Sequence, residues 1–285
     1  DKSWLQFNAR VLQEAADPST PLIERIRFLG IHSNNLDEFF RVRYASIRRM
    51  SGIGGKKVRA ELGGYSANEL ANDLTELVIL QQRRAQEIYD DLIEELKQHE
   101  IHVIDEKQLT KSQQEFVRKY YVEKVSPGIF NLILSDARPF PELKDKSIYL
   151  AIKVSNKLDA ENPVFSLIEV PTDLNGRFVI LPKRGKHYIM YLDDLIRYNL
   201  DYVFFIFTFD HITAHTIKIT RDAEMDIDYD ISKSFLEKIQ KGLKDRQLAD
   251  PVRFIYDANI APDVLERIKE GMGLSQYDSM ISGGR

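Results

Sequence analysis

Cysteine is absent from this 285-residue chain, which rules out disulfides, thiolate nucleophiles and cysteine-ligated zinc and is compatible with a reducing compartment. Long apolar runs are absent too. The longest, Tyr202 to Phe209, is far shorter than the roughly 20 residues that a membrane-spanning helix needs, and no signal peptide is expected ahead of Ser3. The expectation is a soluble, cytoplasmic protein, with peripheral association at the inner face of the membrane left open. Neither a Gly-x-Ser-x-Gly elbow nor a kinase-type catalytic loop occurs. No catalytic residue is therefore assigned in this chain.

Three partial motifs fall short. Gly52-Ile53-Gly54-Gly55-Lys56-Lys57 looks like a phosphate loop, but the Walker pattern needs four residues between its glycines, Ser or Thr after the lysine and a strand before it. A mobile loop is the plainer reading. Asp226, Asp228, Asp230 and Glu237 imitate an EF-hand, yet Ile231 stands where the sharp turn requires glycine, which leaves a solvated acidic edge or a weak magnesium site. His99 with His102, and His211 with His215, each lack the third ligand that zinc requires. No metal site is assigned.

What is present is an ordinary globular composition, 43% apolar and 29% charged, in a chain long enough for two domains that each bury a core. The net charge of −4 is unevenly spread: residues 1 to 60 hold 11 Lys and Arg against 6 Asp and Glu, and the remainder is acidic. A basic segment attracts nucleotide or polyphosphate as readily as nucleic acid, and it also describes solvated helix faces, so charge names no partner. Arg41, Arg43, Arg48 and Arg49 raise nucleic-acid binding as a rival. Overall acidity and the lack of a nucleic-acid motif argue against it.

The first hundred residues read as helices. Ser3 is a plausible N-cap for a helix carrying Trp4, Phe7, Val11 and Leu12, which should stop near Asp17-Pro18. A second helical stretch runs from Pro21 to about Met50, and a break is expected where Gly30 and Ser33-Asn34-Asn35 interrupt it, with Asn34 and Asp37, or Asn35 and Glu38, spaced as a fresh helix start. Ser51 to Gly64 reads as a loop. A long helix from Ser66 to about His99 follows, with Leu70, Leu74, Leu77, Ile88, Leu92 and Leu96 as its apolar stripe.

The character changes after Ile101-His102-Val103-Ile104. A helix is expected over Ser112 to Val122, then strands over Ser147 to Val154, Val164 to Val170, Phe178 to Leu181, Phe204 to Phe209, Ala214 to Ile219 and Val252 to Tyr256. Helices are expected from Ser232 to about Leu248 and from Pro262 to about Gly271. The fold class is α+β in two domains, a helical bundle over residues 1–106 followed by an α+β domain over residues 107–285 with a largely antiparallel sheet.

One constellation stands out. If Phe28 to Arg43 is helical, Asn35 shares a stripe with Phe28, Ile31, Phe39 and Val42, which sets a carboxamide among apolar groups. An amide offers both a donor and an acceptor, as reading an adenine edge requires, and aromatic neighbours can cover a purine face. A helix cap, or a core amide satisfied by backbone, fits the same spacing.

Ser3-Trp4-Leu5-Gln6-Phe7-Asn8-Ala9-Arg10-Val11-Leu12-Gln13-Glu14-Ala15 resembles the opening of the long-chain, histidine-dependent polyphosphate kinase family. So does the stretch from Pro21-Leu22-Ile23-Glu24-Arg25 through Asn34-Asn35-Leu36-Asp37-Glu38-Phe39-Phe40-Arg41-Val42-Arg43. Lys218-Ile219-Thr220-Arg221-Asp222-Ala223-Glu224, Pro251-Val252-Arg253-Phe254 and Gln276-Tyr277-Asp278-Ser279 are similar to the family's middle, or head, domain.

The resemblance implies an enzyme that reversibly moves the terminal phosphate of ATP onto inorganic polyphosphate through a phosphohistidine, with magnesium as cofactor. The histidine and the magnesium ligands are expected in later domains that this chain lacks, so the chain reads as a fragment that is inactive alone. Its motif maps the nucleotide contact to Asn35, gives Ser33, Asn34 and Asp37 the shaping of a helix start, and implies a homodimer through the second domain. The expected partners are ATP or ADP, polyphosphate and further copies of the chain in a homodimer or higher oligomer, with no nucleic acid. The alternative is a non-catalytic polyanion-binding or dimerisation scaffold.

Overall fold

This computed structural model describes residues 1–53, 56–157, 159–182, 185–223, 250–274 and 279–283. The helix expected at Ser232 to Leu248, the acidic residues Asp226, Asp228, Asp230 and Glu237, and Gly54-Gly55 lie outside the described residues.

The chain opens with α1 (Lys2–Ala16) and α2 (Leu22–Glu38), which runs into a π-helical turn at Phe39–Tyr44 and then α3 (Ala45–Ile53). The short α4 (Lys56–Glu61) leads to α5 (Ala67–Gln98). Leu5, Leu12 and Ala15 of α1 recur at helical spacing and are buried, as are Leu70, Leu74, Val78, Ile88, Leu92 and Leu96 of α5. The long helix starts sharply because Ser66 and Glu69 form a capping box: the Glu69 N–H donates to Ser66 Oγ at 3.2 Å and the Ser66 N–H to Glu69 Oε2 at 2.7 Å.

Three expectations for this region are corrected. The first helix starts at Lys2 with Asp1 in the N-cap position, where its side chain makes no capping bond, and Ser3 lies inside the helix, so Ser3 is no cap. α2 continues through Gly30 and Ser33-Asn34-Asn35 without a break. A Cβ at Gly30 would meet nothing within 4 Å, so its only cost is the roughly 1 kcal/mol helix penalty of glycine, which packing against α1 and α5 overrides. The irregularity comes later, in the π turn, which aims Phe39, Phe40 and Tyr44 all into the core. The segment Ser51 to Gly64 is largely helical, and its turn falls at Gly63 and Gly64, with φ of 67° and 96°.

Beyond β1 (Ile101–Ile104) come α6 (Lys111–Tyr120), a π turn at Tyr121–Val125, β2 (Asn131–Leu134), β3 (Ile148–Asn156), β4 (Asp159–Glu169), α7 (Thr172–Asn175), β5 (Phe178–Leu181) and β6 (His187–Tyr191). Next are α8 (Leu192–Tyr198), α9 (Leu200–Val203), β7 (His211–Arg221), β8 (Pro251–Tyr256), α10 (Pro262–Met272) and β9 (Ser279–Ser282).

Six strands form a sheet in the order β2-β4-β3-β7-β8-β9, antiparallel except for β8 and β9. Three more form a small sheet, β1-β6-β5, in which β1 and β6 are parallel. The architecture is α+β, with a helical N-terminal region and a mainly antiparallel sheet. β3 is buried on both faces: Leu150 and Ile152 enter one core with α6 and α8, whereas Tyr149 and Ala151 enter another with α10.

The expected strand Phe204 to Phe209 is a correction. α9 ends there in turns, with Phe204 buried and Phe205 and Ile206 exposed, a pattern no paired strand requires. The helical layer lies against the far edge of the six-stranded sheet, where Val252 of β8 and Ile281 of β9 join the core formed by Leu5, Leu36, Phe39, Phe40 and Leu74.

Candidate functional site

α1, α2 and α5 meet around a set of polar side chains. Asn8 of α1 is fully buried and donates from Nδ2 to the His32 carbonyl at 3.3 Å. Asn35, half-buried near the end of α2, donates from Nδ2 to Asn8 Oδ1 at 2.9 Å. The donor side of its amide is thereby fixed, and its Oδ1 accepts no hydrogen bond among the described residues. His32 is 3.2 Å from Gln81 Oε1 through Nε2, and Gln81 donates to the Leu5 carbonyl at 2.8 Å. Burial pushes the His32 pKa below its ordinary value against the opposing bond from Gln81, with the Arg253 charge adding to the lowering.

The stripe on which Asn35 sits is only partly open: Phe39 is buried in the core and Phe28 is half-buried against α1 and α5. Ile31 of α2, 46% exposed, and Val42 of the π turn, 44% exposed, are its open members, and Phe7 beside Asn8 is 63% exposed. Trp4 stacks on Phe39 at 5.1 Å, and Arg43 lies over the Trp4 ring at 6.0 Å. This face can present a carboxamide edge bordered by flat apolar surface.

Asp37 does something the sequence did not suggest. It lies inside α2 rather than at a helix start, and it is buried between two cations from the sheet: Lys218 of β7 donates to Oδ2 at 2.6 Å and Arg253 of β8 to Oδ1 at 3.1 Å. Arg253 is 2% exposed, and burial drives its pKa down to about 10 against the opposing pull of Asp37. Its guanidinium also sits 4.7 Å over the Phe40 ring. The proposed roles of Ser33, Asn34 and Asp37 in a helix start do not survive. Asn8, His32, Lys218 and Arg253 went unread, although a charged residue inside Val252-Arg253-Phe254-Ile255 is a signal that a buried partner exists.

The four arginines weighed for nucleic acid have internal partners. Arg41 is 3.4 Å from Asp145, Arg43 is 3.5 Å from Asp1, Arg48 donates to the Pro251 carbonyl at 2.7 Å and Arg49 pairs with Asp222. His215 is 3.3 Å from Asp257, and His102 stacks on Tyr188. Among the described residues no three His, Cys, Asp or Glu side chains are grouped to hold a metal ion.

The polyphosphate kinase N-terminal domain model matches residues 1–104, and the polyphosphate kinase middle domain model matches residues 112–285. The chain belongs to the polyphosphate kinase family. It is 38% identical to the polyphosphate kinase of Vibrio vulnificus (strain YJ016), over 99% of this chain and 40% of that protein. It is 38% identical to that of Escherichia coli (strain K12), over 99% of this chain and 41% of that protein. The crystal structure of polyphosphate kinase from Porphyromonas gingivalis superposes with a TM-score of 0.78 at 28% identity, covering 100% of this chain and 38% of that one. The chain thus spans about two-fifths of the length of the polyphosphate kinases it matches. No helix among its described residues is long and apolar enough to cross a membrane.

Proposed function

We propose that this chain supplies nucleotide positioning and dimerisation to an ATP:polyphosphate phosphotransferase, with Asn35 contacting the adenine of ATP. The observation that carries this reading is the Asn35 amide, held from its donor side by Asn8 and leaving Oδ1 as an acceptor on an apolar surface of Phe7, Ile31 and Val42. An acceptor there suits the exocyclic amine of adenine, and the flanking side chains suit the faces of a purine. Holding the base orients the triphosphate for in-line attack.

In this reading the phosphoryl transfer itself, through a phosphohistidine with magnesium, belongs to the length of the family proteins that this chain does not span. Expressed alone, the chain turns over no ATP. Its second domain, residues 107–285, pairs two copies, and the exposed Phe178 and Ile180 on edge strand β5 provide an apolar edge for such pairing.

The test compares wild type with Asn35→Ala in the full-length protein, reading ATP affinity and polyphosphate synthesis side by side at matched folded stability. Loss of one hydrogen bond predicts roughly tenfold weaker ATP binding with the fold intact. Unchanged affinity and turnover would make Asn35 a structural amide only.

A further inference from the structure

A carboxamide turned one way offers an acceptor to the 6-amino group of adenine; turned over, it offers a donor to the 6-oxo group of hypoxanthine or guanine. Asparagine by itself therefore selects neither base. Selection at Asn35 requires that its rotation be fixed, and one fully buried side chain on α1 fixes it.

The fixing starts at a backbone carbonyl. The His32 carbonyl lies inside α2 and can only accept, so the Asn8 side chain that reaches it at 3.3 Å must present Nδ2. Asn8 Oδ1 then faces Asn35, which must present its own Nδ2, at 2.9 Å. Turning Asn35 over would set two amide oxygens against each other. Turning Asn8 over to relieve that would set its oxygen against the His32 carbonyl. Asn8 has no exposed surface, so water cannot relieve either mismatch. The helices that carry this chain are tied at the same place: Gln81 of α5 donates to the Leu5 carbonyl of α1 at 2.8 Å and meets His32 Nε2 of α2 at 3.2 Å through Oε1.

We infer that Asn8 is a positioning residue that sets base selectivity, holding the Asn35 oxygen toward the ligand so that a 6-amino purine is accepted and a 6-oxo purine rejected. The inference rests on the proposed contact of Asn35 with adenine and adds the residue that gives that contact its direction. Buried as it is, Asn8 acts on the base only through Asn35. A 6-oxo purine would place oxygen against oxygen at an amide that cannot turn, and its own acceptor would be left without a donor.

The test uses the full-length protein and equilibrium binding of triphosphates that differ at purine position 6: ATP with an amine, purine riboside triphosphate with hydrogen, and ITP with oxygen. Wild type should bind them in that order, with ATP roughly tenfold tighter than ITP. Equal affinity for ATP and ITP overturns the inference without any variant. Asn8→Ala removes the acceptor that holds Asn35, so the preference for ATP over ITP should collapse toward unity, by tighter ITP binding as well as weaker ATP binding. Asn8→Asp keeps an oxygen facing Asn35 but buries a carboxyl, so it should lower the urea midpoint more than Asn8→Ala does and still retain the wild-type preference. A preference that follows the loss of stability rather than the loss of the acceptor makes Asn8 a packing residue and overturns the inference. Asn35→Ala separates the two readings. If it weakens ATP binding while Asn8→Ala leaves the preference intact, Asn35 contacts the base without direction from Asn8; if it leaves ATP affinity unchanged, the contact itself fails and this inference falls with it.

Discussion

Asp37 offers one carboxylate to two sheet cations; Asp37 and Arg253 are buried and Lys218 is partly exposed. Removing the carboxylate leaves buried positive charge uncompensated, so Asp37→Ala should cost about 3–5 kcal/mol in urea unfolding. Replacing the whole set with apolar groups removes the desolvation cost as well. The triple variant Asp37→Leu, Lys218→Met, Arg253→Met should recover most of that loss, and failure to recover would show that the triad contributes more than charge balance.

His32 gives a second prediction at this scale. Its folded pKa lies below its ordinary 6.5, so the unfolded chain binds more protons across the interval between the two values. Its neutral form is favoured by folding: its contribution is complete above the unfolded pKa and declines as pH falls toward the folded one. His32→Gln should therefore flatten the loss of stability on acidification from pH 7, measured as the midpoint of urea unfolding at several pH values. An unchanged slope would place the acid sensitivity elsewhere. None of this was legible in the sequence. The apolar stripe carrying Asn35 was, because helical spacing exposes it, but its fixed partner Asn8 lies 27 residues away and only the packing of α1 on α2 joins them.

Among the elements, α10 is held by an unusually close approach. A Cβ on Gly271 would fall 2.0 Å from Cδ2 of Phe140, inside the ring's own volume. Gly271→Ala should destabilise by about 1–3 kcal/mol in thermal or urea unfolding despite alanine's better helix propensity, and the penalty should vanish in a Phe140→Ala background. If Gly271→Ala is stabilising in the wild-type background, the contact is not tight.

The elements that could be read in advance are those whose signals are local. Ser66 and Glu69 announce the start of α5, and the β-branched and aromatic run Phe178 to Leu181 announces β5. Two of those not read, β1 and β9, depend on partners elsewhere in the chain. β1 is four residues that become a strand only by pairing with β6, 86 residues later in the register Ile101 to His187, and β9 exists through β8. Phe204 to Phe209 misled because an aromatic-rich run has high strand propensity, yet here only Phe204 is drawn into the core as α9 ends.

Across the molecule, the helical layer and the sheet share a core rather than merely touching. Val252 and Ile281 sit among Leu5, Leu36, Phe39 and Phe40, and Tyr89 of α5 meets Tyr191 of β6 hydroxyl to hydroxyl at 2.8 Å. The protein should then unfold in one transition. Its single tryptophan, Trp4, reports the helical layer through its stack on Phe39, so Trp4 fluorescence and far-UV circular dichroism should give coincident urea midpoints. Separate midpoints would mean that the two regions are independent folding units.

The shared core has a temporal consequence. Asp37 is 181 residues from Lys218 and 216 from Arg253, so on the ribosome the carboxylate is made long before either cation. At roughly 5–20 residues per second, the helices wait about ten to forty seconds for the strand that neutralises and covers them. During that interval Asp37, Phe39 and Phe40 must remain hydrated or be shielded by a chaperone, which makes the nascent helical layer the stage of this protein's life most exposed to aggregation.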